Sequence, residues 1–223
     1  MKRERIHGKL STYRFEFLLA ALTLLIFDKI FFPSNDFFIR YVWPINMIII
    51  ALASFGIFVE RELWVKRLRI VFSNIAILMP FGFLYFSPNF WFVSFLVAFY
   101  IVFYIFILVE VFRQITMAKE VRFNVVIGSF CGYLLLSMVA LFSYLAIELN
   151  YPESFRNISK GNFPAIYNEL SYFSFITLTS IGFGDIYPTT DMSRLTVAFF
   201  GMLGQFYMVA VIGIIISRFT SNH

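Results

Sequence analysis

The chain has 223 residues, of which 60% are hydrophobic, 21% aromatic and only 14% charged. Soluble domains carry about 25% charged residues and alternate apolar with polar side chains, so uninterrupted apolar runs exclude a surface made for water and point to lipid. A net charge of +5 does not argue for nucleic acid, because the basic residues stand in short clusters between apolar runs, the arrangement that orients membrane helices.

A helix needs roughly 20 mostly apolar residues to cross the hydrocarbon core. After a basic leading segment at 1–14, the first such run is Phe15–Phe32. It is too long for a signal peptide and no small-residue cleavage site follows it, so it reads as a retained helix. Further spans are predicted at Tyr41–Val59, Leu68–Phe86, Phe90–Val111, Val125–Leu149 and Ser193–Ile216. The expected organisation is a four-helix transmembrane domain at 15–112, a cytoplasmic linker at 113–123, a two-span domain at 124–218 and a tail at 219–223, with no soluble sensor domain after the sixth span. Cys131 stands alone in an apolar run, so no internal disulfide is possible.

Between the fifth and sixth spans lies a shorter apolar stretch, Phe163–Leu178, too short to cross and suited to a re-entrant helix. Asn162 can cap it and Pro164 suits its first turn. Just before it, Asn157-Ile158-Ser159 matches the glycosylation acceptor pattern, which is weak enough that a chance tripeptide in a polar loop is the better reading.

Sorting the basic residues by side tests the span count. One side holds Lys2, Arg3, Arg5, Lys9 and Arg14, then Arg61, Lys66, Arg67 and Arg69, then Arg113, Lys119 and Arg122, and last Arg218. The other holds only Lys29, Arg40, Arg156, Lys160 and Arg194. Positive residues concentrate on the cytoplasmic side, so both termini are expected there. The fourth span carries no basic residue from Phe90 to Val109. A voltage sensor needs such charges inside the membrane, each yielding about 2.3 kcal/mol per 100 mV, so steep voltage dependence is not expected. Asp28-Lys29 and Glu110 lie near helix ends, where snorkelling to water is a simpler reading than function.

The informative stretch is Thr177-Leu178-Thr179-Ser180-Ile181-Gly182-Phe183-Gly184-Asp185, placed between two spans and behind a short helix. Here the chain resembles the potassium-channel family, whose filter loop reads Thr-Val-Gly-Tyr-Gly. The core in this sequence is Ser180-Ile181-Gly182-Phe183-Gly184, and the Ser and Phe variants resemble relatives of the ether-à-go-go channels. The resemblance covers residues 124–218 firmly; over residues 1–123 it rests on span count alone. It implies ion binding by Thr179, Ser180, Ile181, Gly182, Phe183, Gly184 and Asp185, with potassium held at Ser180, Ile181, Gly182 and Phe183.

The residue types fit that role. A dehydrated potassium ion needs oxygens in place of water, and backbone carbonyls from four subunits can supply them. Aiming consecutive carbonyls at one axis takes a backbone that alternates in handedness, and glycine enters the left-handed region without a Cβ penalty, so Gly182 and Gly184 should occupy it. Ser180 would add its hydroxyl as innermost ligand, and Asp185 would raise cation concentration at the outer mouth and brace the loop. The re-entrant helix would point its negative dipole end at the central cavity. Where the family has Tyr, Phe183 lacks a hydroxyl that in relatives can bond to pore-helix aromatics, a position matched by Tyr172 and Phe173, so a less rigid filter is expected. Matching Arg194-Leu195 to the Arg-Leu that opens the family's inner helix places Gly204 at its gating hinge; Gly201 is a second candidate, and glycines also simply permit close packing. Gln205 could face the pore or bond to a neighbouring helix.

A membrane enzyme would need convergent His, Asp, Glu, Cys or Ser residues at one depth, and the two histidines, His7 and His223, stand at opposite ends of the chain. A secondary transporter would favour broken helices in both halves. The sequence therefore predicts an all-α membrane protein of six transmembrane helices plus a re-entrant pore helix and selectivity filter. Its partners are three further copies of itself and membrane lipid, not nucleic acid; its site is the plasma membrane; potassium is its transported ion and it has no cofactor. A weakly selective cation channel and a non-conducting modulatory subunit are the alternatives, and Phe183-Gly184, a pair that a sodium-permeable relative would lose, favours potassium.

Overall fold

A computed structural model describes residues 13–32, 34, 37–58, 63–86, 89–118, 123–161 and 163–220. Among the described residues seven α-helices follow in chain order: α1 Arg14–Phe27, α2 Trp43–Ile57, α3 Leu63–Phe86, α4 Phe90–Met117, α5 Phe123–Asn150, α6 Phe163–Leu178 and α7 Asp191–Thr220. Two two-residue strands, β1 Phe155–Arg156 and β2 Tyr187–Pro188, pair antiparallel in the loops flanking α6, a small exception to the all-helical expectation.

Among the described residues five helical segments are long and apolar enough to cross a membrane: Arg40–Ile57, Leu63–Phe86, Phe90–Met117, Phe123–Asn150 and Asp191–Val211. The first predicted span falls short of that length. α1 has 14 residues and gives way to a 3-10 turn at Asp28–Ile30, because Asp28 turns inward to accept a hydrogen bond from Asn46 of α2 instead of continuing an apolar face. Residues 1–12, which carry most of the predicted basic leader, lie outside the described residues, as does Asn162, the predicted cap of α6. The expected linker at 113–123 is helical as far as Met117, where Arg113 and Gln114 carry α4 on by bonding back to Glu110.

Local chemistry sets the ends that are well defined. Asn89 caps α4 by accepting hydrogen bonds from the backbone N–H groups of Trp91 and Phe92 at 2.9 and 3.3 Å. Thr190 and Ser193 close the start of α7 reciprocally, each side chain accepting from the other's backbone N–H, and Asp191 sits in the first turn where the helix dipole favours an acid.

The core runs through both halves of the chain. Trp43 is fully buried and meets Phe83 of α3, Tyr100 of α4 and Tyr167 of α6 edge-on, at centroid distances of 5.7, 6.1 and 6.2 Å. Phe142 of α5 packs on Tyr100 and Tyr104 of α4 at 5.2 and 5.5 Å. Such ring pairs add about 0.5–1.5 kcal/mol each beyond area burial. The first four helices therefore dock on α5 and α6 of the same chain. α7 is seated on α5 by Tyr207, whose hydroxyl donates to Ser129 O at 2.9 Å through the gap left by Gly132; a Cβ there would lie 2.1 Å from that hydroxyl.

The ionisable residues near the helix ends are held within the fold. Glu110 is buried and its carboxylate accepts from Arg113 at 2.5 and 3.1 Å and from Gln114 at 2.8 Å. Lys29 donates to Phe32 O at 3.0 Å.

Candidate functional site

α6 begins and ends where its apolar stretch does, at Phe163 and Leu178, with Pro164 inside its first turn. A helix leaves its last four carbonyls without internal partners, and buried ones must find donors elsewhere. In α6 these belong to Phe175, Ile176, Thr177 and Leu178. Phe175 O accepts from Thr179 N at 2.9 Å and from the Thr179 hydroxyl at 2.7 Å. Ile176 O accepts from both Ile181 N and Gly182 N, at 2.9 and 3.1 Å. Thr177 O accepts from Ser180 N at 3.1 Å. Leu178 O accepts from the Gln205 side-chain amide of α7, at 3.4 Å. The loop that follows is thus built on the end of the helix by its own backbone, with one donor brought from elsewhere.

Across that loop the sign of φ alternates. Ser180, Gly182 and Gly184 are left-handed, at φ +58, +52 and +76°, and Ile181 and Phe183 between them are not. Nothing stands within 4 Å of where a Cβ would sit on Gly182 or Gly184, so glycine is needed there for its backbone freedom and not for space. Ser180 enters the same region with a side chain, at a cost of about 1–2 kcal/mol. In the single chain Ile181 and Phe183 are 56% and 71% exposed, on a segment whose composition is made for burial.

The far side of the loop is tied down by polar side chains. Tyr172 of α6 hydrogen-bonds to the Asp185 carboxylate, so an aromatic of the helix, not the loop's own aromatic Phe183, holds the acid after the loop. Phe173 turns away into a cluster with Tyr144 and Phe155, at 5.6 and 5.7 Å. Asn157 donates its amide to Asp185 O at 2.7 Å, and Ser159 donates both backbone N–H and hydroxyl to Glu169, at 2.6 and 2.7 Å. Both polar residues of the apparent glycosylation triplet are therefore engaged within the fold, which accounts for them structurally. Lys160 pairs with Glu153 at 2.5 Å and holds that exposed carboxyl below its ordinary pKa, with a smaller contribution from Arg156.

Gly201 and Gly204 of α7 lie against α6. A Cβ on Gly204 would be 3.1 Å from both Leu178 O and Leu178 Cγ, whereas one on Gly201 would have only Thr177 Cγ2, at 3.9 Å. α7 runs unbroken through both. Thr179 sits beside the loop with its hydroxyl directed to Phe175 O. Sequence reasoning passed over Asn157, read as a chance triplet member, and left the partner of Gln205 open. Asn157 is left-handed, at φ +63°, a conformation asparagine adopts more readily than most residues.

Residues 131–221 match the sequence model of a family described as "Ion channel". The match begins within α5 and runs through α6, the loop at 179–185 and α7. No curated protein and no solved structure matches the chain significantly.

Proposed function

We propose that the chain is one subunit of a potassium-selective channel in which four copies surround a single pore. The observation that carries this reading is the alternation of handedness from Ser180 to Gly184, directly after a helix too short to cross the membrane and within the region that matches ion channels. An alternating backbone turns successive peptide planes the same way, and rings of such carbonyls replace the hydration shell of a potassium ion. One loop cannot surround an ion, so a closed ring of subunits is required. The exposed Ile181 and Phe183 and the sparsely covered α7 are then the surfaces that neighbouring copies cover.

In this reading Ser180, Ile181, Gly182 and Phe183 hold potassium, Gly184 completes the loop, and Asp185 concentrates cations at the outer mouth. Thr179 acts from the helix end, through its bond to Phe175. Non-helical backbone at membrane depth is tolerated because it lines the pore. α1 together with the residues that follow it, to Phe32, makes the first of six spans, both termini are cytoplasmic, and the protein sits in the cell membrane. Flow is passive and, with no basic residue from Phe90 to Val109, not driven by a voltage sensor of the usual kind. Reconstitution in liposomes tests this. Potassium uptake should exceed sodium uptake by at least about 100-fold, near 3 kcal/mol of discrimination, and barium should block it. Equal uptake of the two alkali ions overturns the reading.

A further inference from the structure

Gln205 lies one residue beyond Gly204 on α7, and its side-chain amide reaches two atoms at the base of the loop. Its Nε2 is 2.5 Å from the Ser180 hydroxyl oxygen and 3.4 Å from Leu178 O. The second contact fixes the orientation of the amide, because a backbone carbonyl only accepts and so must face nitrogen. One N–H therefore closes the last open carbonyl of α6, and the other donates into the Ser180 hydroxyl.

That hydroxyl belongs to a residue in a strained conformation. Ser180 is left-handed at φ +58°, and such a conformation persists only where its surroundings over-determine it. Two bonds do so here, Ser180 N to Thr177 O at 3.1 Å and Gln205 to Ser180 Oγ. Gly204 makes the reach possible, since a Cβ there would press on Leu178 at 3.1 Å and lift this part of α7 away.

We infer that Gln205 is a specificity-determining residue of the pore, which holds the Ser180 hydroxyl in one rotamer and so sets the geometry of the innermost ion site. The inference rests on the channel reading above. A donated hydrogen bond occupies one lone pair of Ser180 Oγ and leaves the other for the ion, while a free serine hydroxyl rotates among three wells. Four hydroxyls held alike give a ring of defined radius, and a ring of defined radius separates two ions of different size better than one that adjusts to either. Gln205 touches no ion; it acts through Ser180.

Planar-bilayer recording on the intact tetramer tests this, with barium, a divalent ion of potassium's size, added from the cytoplasmic side. Gln205→Met keeps the length and bulk of the side chain and removes the donor. Gln205→Asn keeps the amide but is one methylene too short to reach. Each should raise the barium concentration for half-block by about three- to tenfold, the worth of one neutral hydrogen bond. Each should also shift the reversal potential under potassium–sodium gradients toward sodium permeation. In the Ser180→Ala background neither substitution should change block further, which a merely structural role of Gln205 would not produce. Unchanged block in both single variants, or effects that add in full to those of Ser180→Ala, overturns the inference while wild-type selectivity leaves the channel reading standing. Wild-type protein that passes no potassium overturns both.

Discussion

α5 and α7 are neighbouring helices, both long and apolar enough to cross a membrane, yet 83% of the membrane-length window of α5 is buried within the single chain and only 22% of that of α7. α5 is enclosed by α1, α4, α6 and α7, with Phe142, Tyr144 and Leu135 fully covered. α7 leaves Leu195, Phe199, Met202, Phe206 and Val209 exposed at spacings of three and four residues, one continuous stripe. The lesson is that α5 is enclosed by its own chain, while α7, like α3 with 22% of its window buried, leaves most of its surface for something outside the chain to cover. The buried core and the loop beside α7 should therefore fail differently. Damage to that core should unfold protein, and damage near the loop should silence it without unfolding.

The largest effect is expected at Gly182. Alanine at φ +52° costs about 1–2 kcal/mol per subunit, and no contact blocks the new methyl, so the chain relieves the strain by leaving the left-handed region. Gly182→Ala should abolish potassium flux in liposomes with the same elution volume and melting temperature as wild type. Flux retained at wild-type level would break the claim that left-handed backbone is what this position supplies.

Trp43→Ala comes next and probes the other half. Trp43 is fully buried among Phe83, Tyr100 and Tyr167, and truncating such a side chain costs about 3–5 kcal/mol. Melting should drop by several degrees, whereas protein that remains folded at low temperature should keep its preference for potassium over sodium. A loss of selectivity without loss of stability would show that the peripheral helices do more than support.

At Gly204 and Gly201 packing and hinging make opposite forecasts. If α7 bends at these glycines, alanine at either should stiffen it alike, since the gain in helix propensity is about 1 kcal/mol at both. If they permit close approach, only Gly204→Ala should hurt, because its methyl would meet Leu178 at 3.1 Å while that of Gly201→Ala meets Thr177 at an ordinary 3.9 Å. We expect Gly204→Ala to lower stability by about 1–3 kcal/mol and to reduce flux, and Gly201→Ala to do neither. Single-channel recordings in which both variants alter open time equally would favour the hinge.

What the sequence made legible follows from where the physics is local. Hydrophobic runs bounded by charge or proline mark helices without reference to tertiary contacts, which is why Phe163–Leu178 and the start at Phe90 are read to the residue. The left-handed Gly182 and Gly184 are legible because only glycine reaches that region freely. Ser180 at φ +58° is not, since a serine carries no mark of the position. The early end of α1 escaped because Asp28 is turned inward by Asn46, 18 residues on. β1 and β2 are two residues each, too short for any period, and exist because Phe155 meets Pro188 across a loop that the fold closes. The bonds of Asn157 to Asp185 O and of Gln205 to Ser180 join residues 28 and 25 apart, and polar side chains give no sign in sequence of which distant atom they reach.

The smallest effect concerns pH at the loop between α5 and α6. Glu153 is exposed, and its pKa lies below the ordinary 4.5 because Lys160 donates to it and adds positive charge. A carboxyl whose folded pKa is depressed contributes stability that is fully present above its unfolded value and is lost as pH falls through the folded one. The Glu153–Lys160 pair should therefore hold while the pH stays above the ordinary carboxyl value, and should loosen only in more acidic medium. Titration of the Glu153 carboxyl by carbon NMR should give a midpoint under 4.5 that returns toward it in Lys160→Gln. Because Asn157 and Glu169 anchor the same loop independently, potassium flux in that variant should stay near wild type. A large loss of flux in Lys160→Gln would mean that the exposed ion pair, and not the amide of Asn157, carries the hold of the 153–161 loop on Asp185.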